Sequence, residues 1–265
     1  RCSRMARVRD TLDHKAHPSR LRLFPDAMDL QRSVRATLLE KEMSVGREAI
    51  RRALHNAGYA WRRPRPVVGL KDPEYDGKLR KIQKLLRSMP SDETAVFQDE
   101  VDVNLNPKIG SAWMKRGWQA TVQTPGNNVK KYVFGSLNWR TGTLIASSAS
   151  RRRNSTEFIR HLDDLRSRMK GWRHIHVICD NASFHDSRVV REYLEQWRHR
   201  LSVHFLPRYA PETNPIERVW WHMHETVTRN HKCRSMEELL DNVYEWFAAT
   251  KTFEIEDSVG YPIAA

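Results

Sequence analysis

The chain predicts an α/β domain with mixed antiparallel and parallel strand pairing, preceded by a small all-α module, and three observations carry that expectation. After Pro90, short apolar strand-like runs alternate with helical patterns in the order strand, strand, strand, helix, strand, helix, strand, helix. Before it, from Asp29, apolar residues recur at helical spacing. Charge is split at the same place: residues 1–90 hold 22 Lys+Arg against 10 Asp+Glu, a net +12, whereas residues 91–265 hold 24 against 22, a net +2. A basic module thus joins a nearly neutral domain, and 39% hydrophobic residues in 265 suffice for one large core.

The formal charge of +14 implies a polyanionic partner, nucleic acid or an acidic membrane surface. No apolar run approaches membrane-spanning length and no signal peptide is visible, which favours nucleic acid and no membrane. A merely soluble basic surface is the ordinary alternative. Cys2, Cys179 and Cys233 are odd in number and far apart, so a disulfide framework is not expected and a reducing cytoplasm fits. The start at Arg1 rather than Met suggests a fragment or trimmed chain.

Residues 1–28 are basic and broken by Pro18 and Pro25, an arm or a domain remnant. Residues 29–66 read as a helix-turn-helix with an Arg/Pro-rich linker. Leu30, Val34, Leu38 and Leu39 mark a first helix, and a second runs from about Gly46 to Ala57, with Ser44 as N-cap and Gly58 beyond its end. On the second, Ala49, Ile50, Ala53 and Leu54 face inward while Arg47, Arg51, Arg52 and His55 face out, an arrangement suited to a DNA major groove. An ordinary solvated basic face has the same spacing. Arg62, Arg63 and Arg65, interleaved with Pro64 and Pro66, lift the DNA reading, because such extended arms lie in minor grooves. A plain linker is the alternative. Residues 67–91 are a connecting segment, with a helix over 73–88 whose Leu79, Ile82, Leu85 and Leu86 form one stripe.

Residues 92–250 hold the α/β domain, followed by a tail, 251–265. Strands are expected at Thr94–Val103, Ala120–Thr124, Val129–Leu137 and Gly142–Ser148, with a hairpin connection at Asn138–Gly142. Helices are expected at Ser155–Met169 and Ser187–Arg198, strands at His174–Cys179 and Leu201–Leu206, and the last helices near Asn214 and Ser235.

Three acids stand out. Asp99 and Asp180 sit at the polar ends of apolar strand-like runs, and Glu217 opens a helix. Were the strands of Asp99 and Asp180 parallel neighbours, their carboxylates would share an edge, and the Pro-rich stretch 207–215 can turn Glu217 toward it. Carboxylates so gathered repel unless a cation neutralises them, and an all-oxygen site suits two Mg²⁺ ions, or Mn²⁺, and phosphodiester displacement. Each acid also has an ordinary reading: a solvated strand face around Asp99, Glu100 and Asp102, a turn cap for Asp180, a helix-dipole partner for Glu217. Asn181, His185 and Asn214 are candidates to orient the carboxylates, and His185 to approach a phosphate. His222, His224, His231 and Cys233 match no strong zinc signature. Trp220 and Trp221 read as core and surface aromatics, and Arg151, Arg152 and Arg153 as loop charge.

The runs Gln98-Asp99-Glu100, Gly110-Ser111-Ala112-Trp113, Arg116-Gly117, Cys179-Asp180-Asn181-Ala182-Ser183-Phe184-His185 and Leu206-Pro207-Arg208-Tyr209-Ala210-Pro211-Glu212-Thr213-Asn214-Pro215-Ile216-Glu217-Arg218-Val219-Trp220 resemble transposases of the IS630/Tc1-mariner superfamily over roughly residues 30–245. The resemblance implies a DDE enzyme with an RNase H-like core and places the family's two aspartates and closing glutamate on Asp99, Asp180 and Glu217. It further implies Mg²⁺-dependent cleavage at terminal inverted repeats and attack of the freed 3′-hydroxyl on target DNA, commonly at TA. Two departures stand out: 36 residues separate Asp180 from Glu217, a little more than in the best-known members, and the chain has room for little more than one helix-turn-helix where members often carry two.

The expected protein is therefore a bacterial, cytoplasmic and nucleoid-associated transposase, acting on double-stranded DNA as a homodimer. A truncated or domesticated form that binds inverted repeats as a non-catalytic repressor is the main alternative. An RNase H-like nuclease of RNA–DNA hybrids or Holliday junctions is a third, against which the basic helix-turn-helix argues.

Overall fold

The computed structural model describes residues 47–56 and 72–262, apart from 115, 118, 127–128, 251 and 256–258. The chain divides into two compact units, Arg1–Val67 and Val68–Ala265. In the first, helix α1 (Arg47–Asn56) forms where the sequence predicts one, with Glu48 in its first turn and His55 in its last, each suited to the helix dipole. Arg51, Arg52 and His55 are exposed, and Arg51 pairs with Glu48 at 2.9 Å. The helix expected from Asp29, the side chain of Arg47, and Arg62, Arg63 and Arg65 lie outside the described residues.

The second unit runs α2 (Tyr75–Ser88), β1 (Glu93–Asn104), β2 (Lys130–Asn138), β3 (Leu144–Ala146), α3 (Ser155–Arg168), β4 (His174–Cys179), α4 (Arg188–Gln196), β5 (Leu201–Phe205), α5 (Ile216–Met223) and α6 (Met236–Ala249). Its five strands form one sheet in the order β3-β2-β1-β4-β5. The tight connection of β2 to β3 gives antiparallel pairing, and the crossovers through α3 and α4 make β1, β4 and β5 parallel. This mixed sheet with helices on both faces is the RNase H-like arrangement.

Successive β1 residues feed opposite layers, as the period of two requires. Val101 and Val103 pack with Val219 and Trp220 of α5 and Leu239 of α6. Ala95 and Phe97 pack with Ile82 and Leu86 of α2. Val96, on the other face, meets Phe158, Leu162 and Leu165 of α3. Helices α3 and α6 begin at side-chain caps: Asn154 accepts from the Glu157 N–H at 3.0 Å and Ser235 from the Glu238 N–H at 3.1 Å.

The hairpin after β2 is built on buried Asn138, whose Oδ1 accepts from the Arg140 N–H at 2.8 Å and the Thr94 hydroxyl at 3.0 Å. Gly142 closes it at φ 66°, a left-handed conformation that glycine adopts without a Cβ clash. The strand expected at Ala120–Thr124 does not form: among the described residues no strand of the sheet pairs with it, and the five strands that do pair are β3-β2-β1-β4-β5. The apolar character of residues 105–129 goes instead to an irregular connection that leaves Ile109, Trp113 and Met114 exposed. The strand expected at Gly142–Ser148 is shorter, because pairing spans only Leu144–Ala146.

Candidate active site

The parallel ladder of β1 and β4 ends at the pair Phe97–Ile178, so Asp99 and Asp180 each lie two residues beyond it, on the same edge and the same face. Asp99 is thus not at the end of a strand. β1 runs on to Asn104 because β2 still pairs with it, and Asp99 sits opposite Gly135. From the third side, Glu217 enters in the first turn of α5. All three acids line one cleft of about 480 Å³, together with Asn181, Asn214 and the segment 206–211.

Half-buried Asp99 forms the cleft floor, where its Oδ2 accepts from the indole N–H of Trp220 at 3.1 Å. Burial, then the charges of Glu217, Glu100 and Asp180, hold its carboxyl well above the ordinary range. Burial and then Asp180 raise Glu217 in the same way. Asp180 goes the opposite way. Burial alone would raise it, but hydrogen bonds from His185 and from the Ala182 N–H hold it below its ordinary value. His185 lies 3.0 Å from Asp180 Oδ1 and 3.1 Å from Glu100 Oε1. Burial opposes its charge, yet hydrogen bonds to Asp180, Cys179 and Glu100 push its pKa up to about 12.

The Pro-rich segment is held from both sides. Asn181 donates to the Leu206 carbonyl at 2.6 Å, and buried Asp72, just before α2, accepts from the Arg208 N–H at 2.8 Å while paired with Lys78 at 2.8 Å. Tyr209, just after these anchors, takes φ 56°, a left-handed conformation uncommon for a side-chain-bearing residue, and stands exposed. Asn214 is buried, donates to the Gln98 carbonyl at 3.1 Å and leaves its Oδ1 without a hydrogen-bond partner among the described residues.

Asn181 and Asn214 therefore orient backbone at the cleft, whereas His185 touches a carboxylate directly. His185 is 1% exposed, so it does not stand where a DNA phosphate would approach it. Trp220, expected as core, is core and also binds Asp99; Trp221 is exposed. Nothing in the sequence marked Asp72 for the cleft, because its contact with Arg208 comes from far along the chain. His224 binds Thr228 and lies 3.3 Å from Lys108 Nζ, and His231 binds the Cys233 N–H and lies 3.4 Å from the Asn104 carbonyl. Arg153 lies over the Tyr132 ring, and its charge helps to lower Asp180.

Among the described residues no three His, Cys, Asp or Glu side chains are grouped to hold one ion between them as they stand. The donors nonetheless fit Mg²⁺ or Mn²⁺. They are carboxylate oxygens around an open cleft, two of them strained by like charge, and such ions take one or two protein carboxylates and complete their shells with water and phosphate oxygens.

Residues 94–240, a span that holds all three acids, match the family described as DDE superfamily endonuclease. Over 204 residues the chain is 37% identical to the insertion element IS630 uncharacterized 39 kDa protein of Shigella sonnei, covering 77% of this chain and 59% of that protein, so it spans less than two thirds of that relative's length. The Mos1 transposase paired-end complex with the left transposon end is similar at a TM-score of 0.59 and 18% identity, covering 94% of this chain and 72% of that one. The Mos1 mariner paired end complex with Mn gives 0.60 at 17% identity, with 93% and 72% covered. At these identities the likeness is one of fold.

Proposed function

Since the chain belongs to the DDE superfamily endonuclease family, we propose that it is a DNA transposase, which cuts at the terminal inverted repeats of an insertion element and joins the freed 3′-hydroxyl to target DNA, commonly at TA. The observation that carries this reading is the meeting of Asp99, Asp180 and Glu217 in one cleft. The likeness to the IS630 protein and to Mos1 bound to a transposon end supports the substrate, and the Mos1 complex with Mn supports the metal.

In this reading Asp99, Asp180 and Glu217 hold two divalent ions. The chemistry supplied by bound Mg²⁺ or Mn²⁺ is Lewis acidity, which activates the attacking hydroxyl and stabilises the departing oxygen. The chain's own groups do the rest. Trp220 fixes one oxygen of Asp99, and His185 fixes one of Asp180. Asp72 and Asn181 hold the 206–211 wall, from which Arg208 meets a phosphate of the scissile strand. Residues 29–66 serve as the DNA-binding module, with Arg47, Arg51, Arg52, His55, Arg62, Arg63 and Arg65 as contacts to duplex DNA, and residues 92–250 as the catalytic domain. Two DNA ends call for two subunits, so the working form is a homodimer on DNA, in the cytoplasm beside the nucleoid.

The test is to incubate the protein with a labelled duplex carrying the element's ends in Mg²⁺, Ca²⁺ or EDTA and to map products at nucleotide resolution. Cuts at the element boundary in Mg²⁺ alone, leaving 3′-hydroxyls, are expected. Asp180→Asn should abolish them and leave DNA affinity intact. Nicking by that variant at near wild-type rate would refute the metal assignment, and binding without cutting under every condition would favour the repressor.

A further inference from the structure

We propose that Glu100 is a positioning residue for Asp180, acting through His185; this rests on the reading of Asp180 as a metal ligand. Glu100 follows Asp99 along β1, so its side chain leaves by the opposite face of the sheet. There it is only 3% exposed. A carboxylate so enclosed is costly unless fully paired, and the place has no evident need for one. Its Oε1 accepts from Gln98 Nε2 at 2.7 Å and faces His185 Nε2 at 3.1 Å. The imidazole is held between Phe158 and Phe184, at centroid distances of 4.4 and 4.3 Å, and its Nδ1 reaches Asp180 Oδ1 at 3.0 Å.

A continuous line of contacts thus runs from inside the sheet layer to the cleft, Gln98 to Glu100 to His185 to Asp180. Its far end needs support. Asp180 lies just past the last residue of β4, its side chain is 56% exposed, and beyond His185 its carboxylate takes a bond from the Ala182 N–H at 2.9 Å. The Ala182 bond and the His185 contact both fall on Oδ1, with His185 Nδ1 also 3.3 Å from the Asp180 carbonyl, and this leaves Oδ2 for an ion. Glu100 fixes the ring plane and the nitrogen that donates to Asp180, as carboxylates behind metal-binding histidines do for the histidine itself. Here the histidine stands behind a carboxylate, one step further from the ion.

The experiment measures Mn²⁺ binding to the full chain without DNA, by the loss of the free-ion electron paramagnetic resonance signal, for wild type, Asp180→Asn, Glu100→Gln and His185→Gln. Glu100→Gln keeps the shape and one acceptor; His185→Gln keeps a donor for Glu100 and removes the one on Asp180. Both are expected to weaken Mn²⁺ binding by about 10-fold or more, to raise the Mg²⁺ concentration for half-maximal cleavage by a similar factor, and to leave DNA affinity in EDTA unchanged. Adding Glu100→Gln to Asp180→Asn should weaken binding no further, since the two act in series. Wild-type Mn²⁺ affinity in either single glutamine variant that folds, with Asp180→Asn impaired, would overturn the proposal alone. Equal affinity in wild type and Asp180→Asn would overturn the metal-site reading and this proposal with it. Glu100→Gln that still weakens binding in the Asp180→Asn background would show that Glu100 acts elsewhere, and would also overturn it.

Discussion

Asp99 is set against the stability of the fold. It lies at the cleft floor with like charges beside it, and its raised pKa means that the folded protein resists its ionisation. On the proposed reading, a divalent ion bound by the three acids relieves that conflict. Without one, Asp99→Asn removes the repelling charge and keeps an acceptor for the Trp220 N–H. Its melting temperature at pH 8 in EDTA should exceed that of wild type by a few degrees, about 1 kcal/mol, while cleavage in Mg²⁺ is lost. A lower melting temperature would show that the charge is already compensated within the protein. Asp180, held below its ordinary pKa by His185, should show no such gain on conversion to Asn.

At the scale of elements, the cleft depends on two unequal pairings of β1. Its first half is parallel to β4 and its whole length from Val96 to Asn104 is antiparallel to β2, so the strand continues past the end of β4 and carries Asp99 into the cleft. α5 then lies across β2 with Trp220 directly over Gly135, and a Cβ there would collide with the indole ring. Gly135→Ala must displace Trp220 from Asp99 or bend β2. The expected cost is about 1–3 kcal/mol by overpacking, read by chemical denaturation, and a reduced cleavage rate should accompany it. A variant of unchanged stability and rate would mean that the helix shifts freely over the sheet.

The whole molecule carries a pH dependence and a salt dependence. Full burial, then the positive Arg168, Arg160 and His185, push the pKa of His161 down to about 3, and burial, then His176 and His174, push that of His204 to about 4. Both are neutral in the fold, so their contribution is complete above the unfolded value near 6.5 and is lost as pH falls from there toward 4 and then 3. For His161 the slope is about 1.4 kcal/mol per pH unit. Asp99 and Glu217 oppose this, since their raised pKa values let the folded state take up protons before the unfolded carboxyls do as pH falls. The histidine effect should therefore be sharper in Asp99→Asn without divalent metal, with denaturation midpoints falling from pH 6.5 to 4. A flat profile in that variant would rule it out. DNA binding should weaken steeply with salt, because the net +12 of residues 1–90 displaces counterions. Reversing the charge of Arg51 and Arg52 should flatten the plot of log affinity against log salt; an unchanged slope would place the DNA contacts elsewhere.

Local patterns were enough to read β4 as His174–Cys179, and to read β1, β2, α3 and the last two helices to within a few residues. Period and capping depend on neighbours a turn or a strand away, and the sequence states them directly. The two aspartates were legible for the same reason, as charges where an apolar run needs none, and Glu217 from the resemblance carried by the residues around it. The failure at Ala120–Thr124 has a different cause: a strand needs a partner from elsewhere in the chain, and only the completed sheet shows which runs find one. Glu100 looked like part of a solvated strand face, and the structure buries it against His185, 85 residues away. Asp72 gave no signal at all, because its contact with Arg208 spans 136 residues. Composition and short-range pattern determined the α/β class, the basic N-terminal third and the three acids. Which carboxylate is exposed, which is buried and what holds each in place was decided only in the tertiary structure, since burial and pairing are properties of residues that meet from distant parts of the chain.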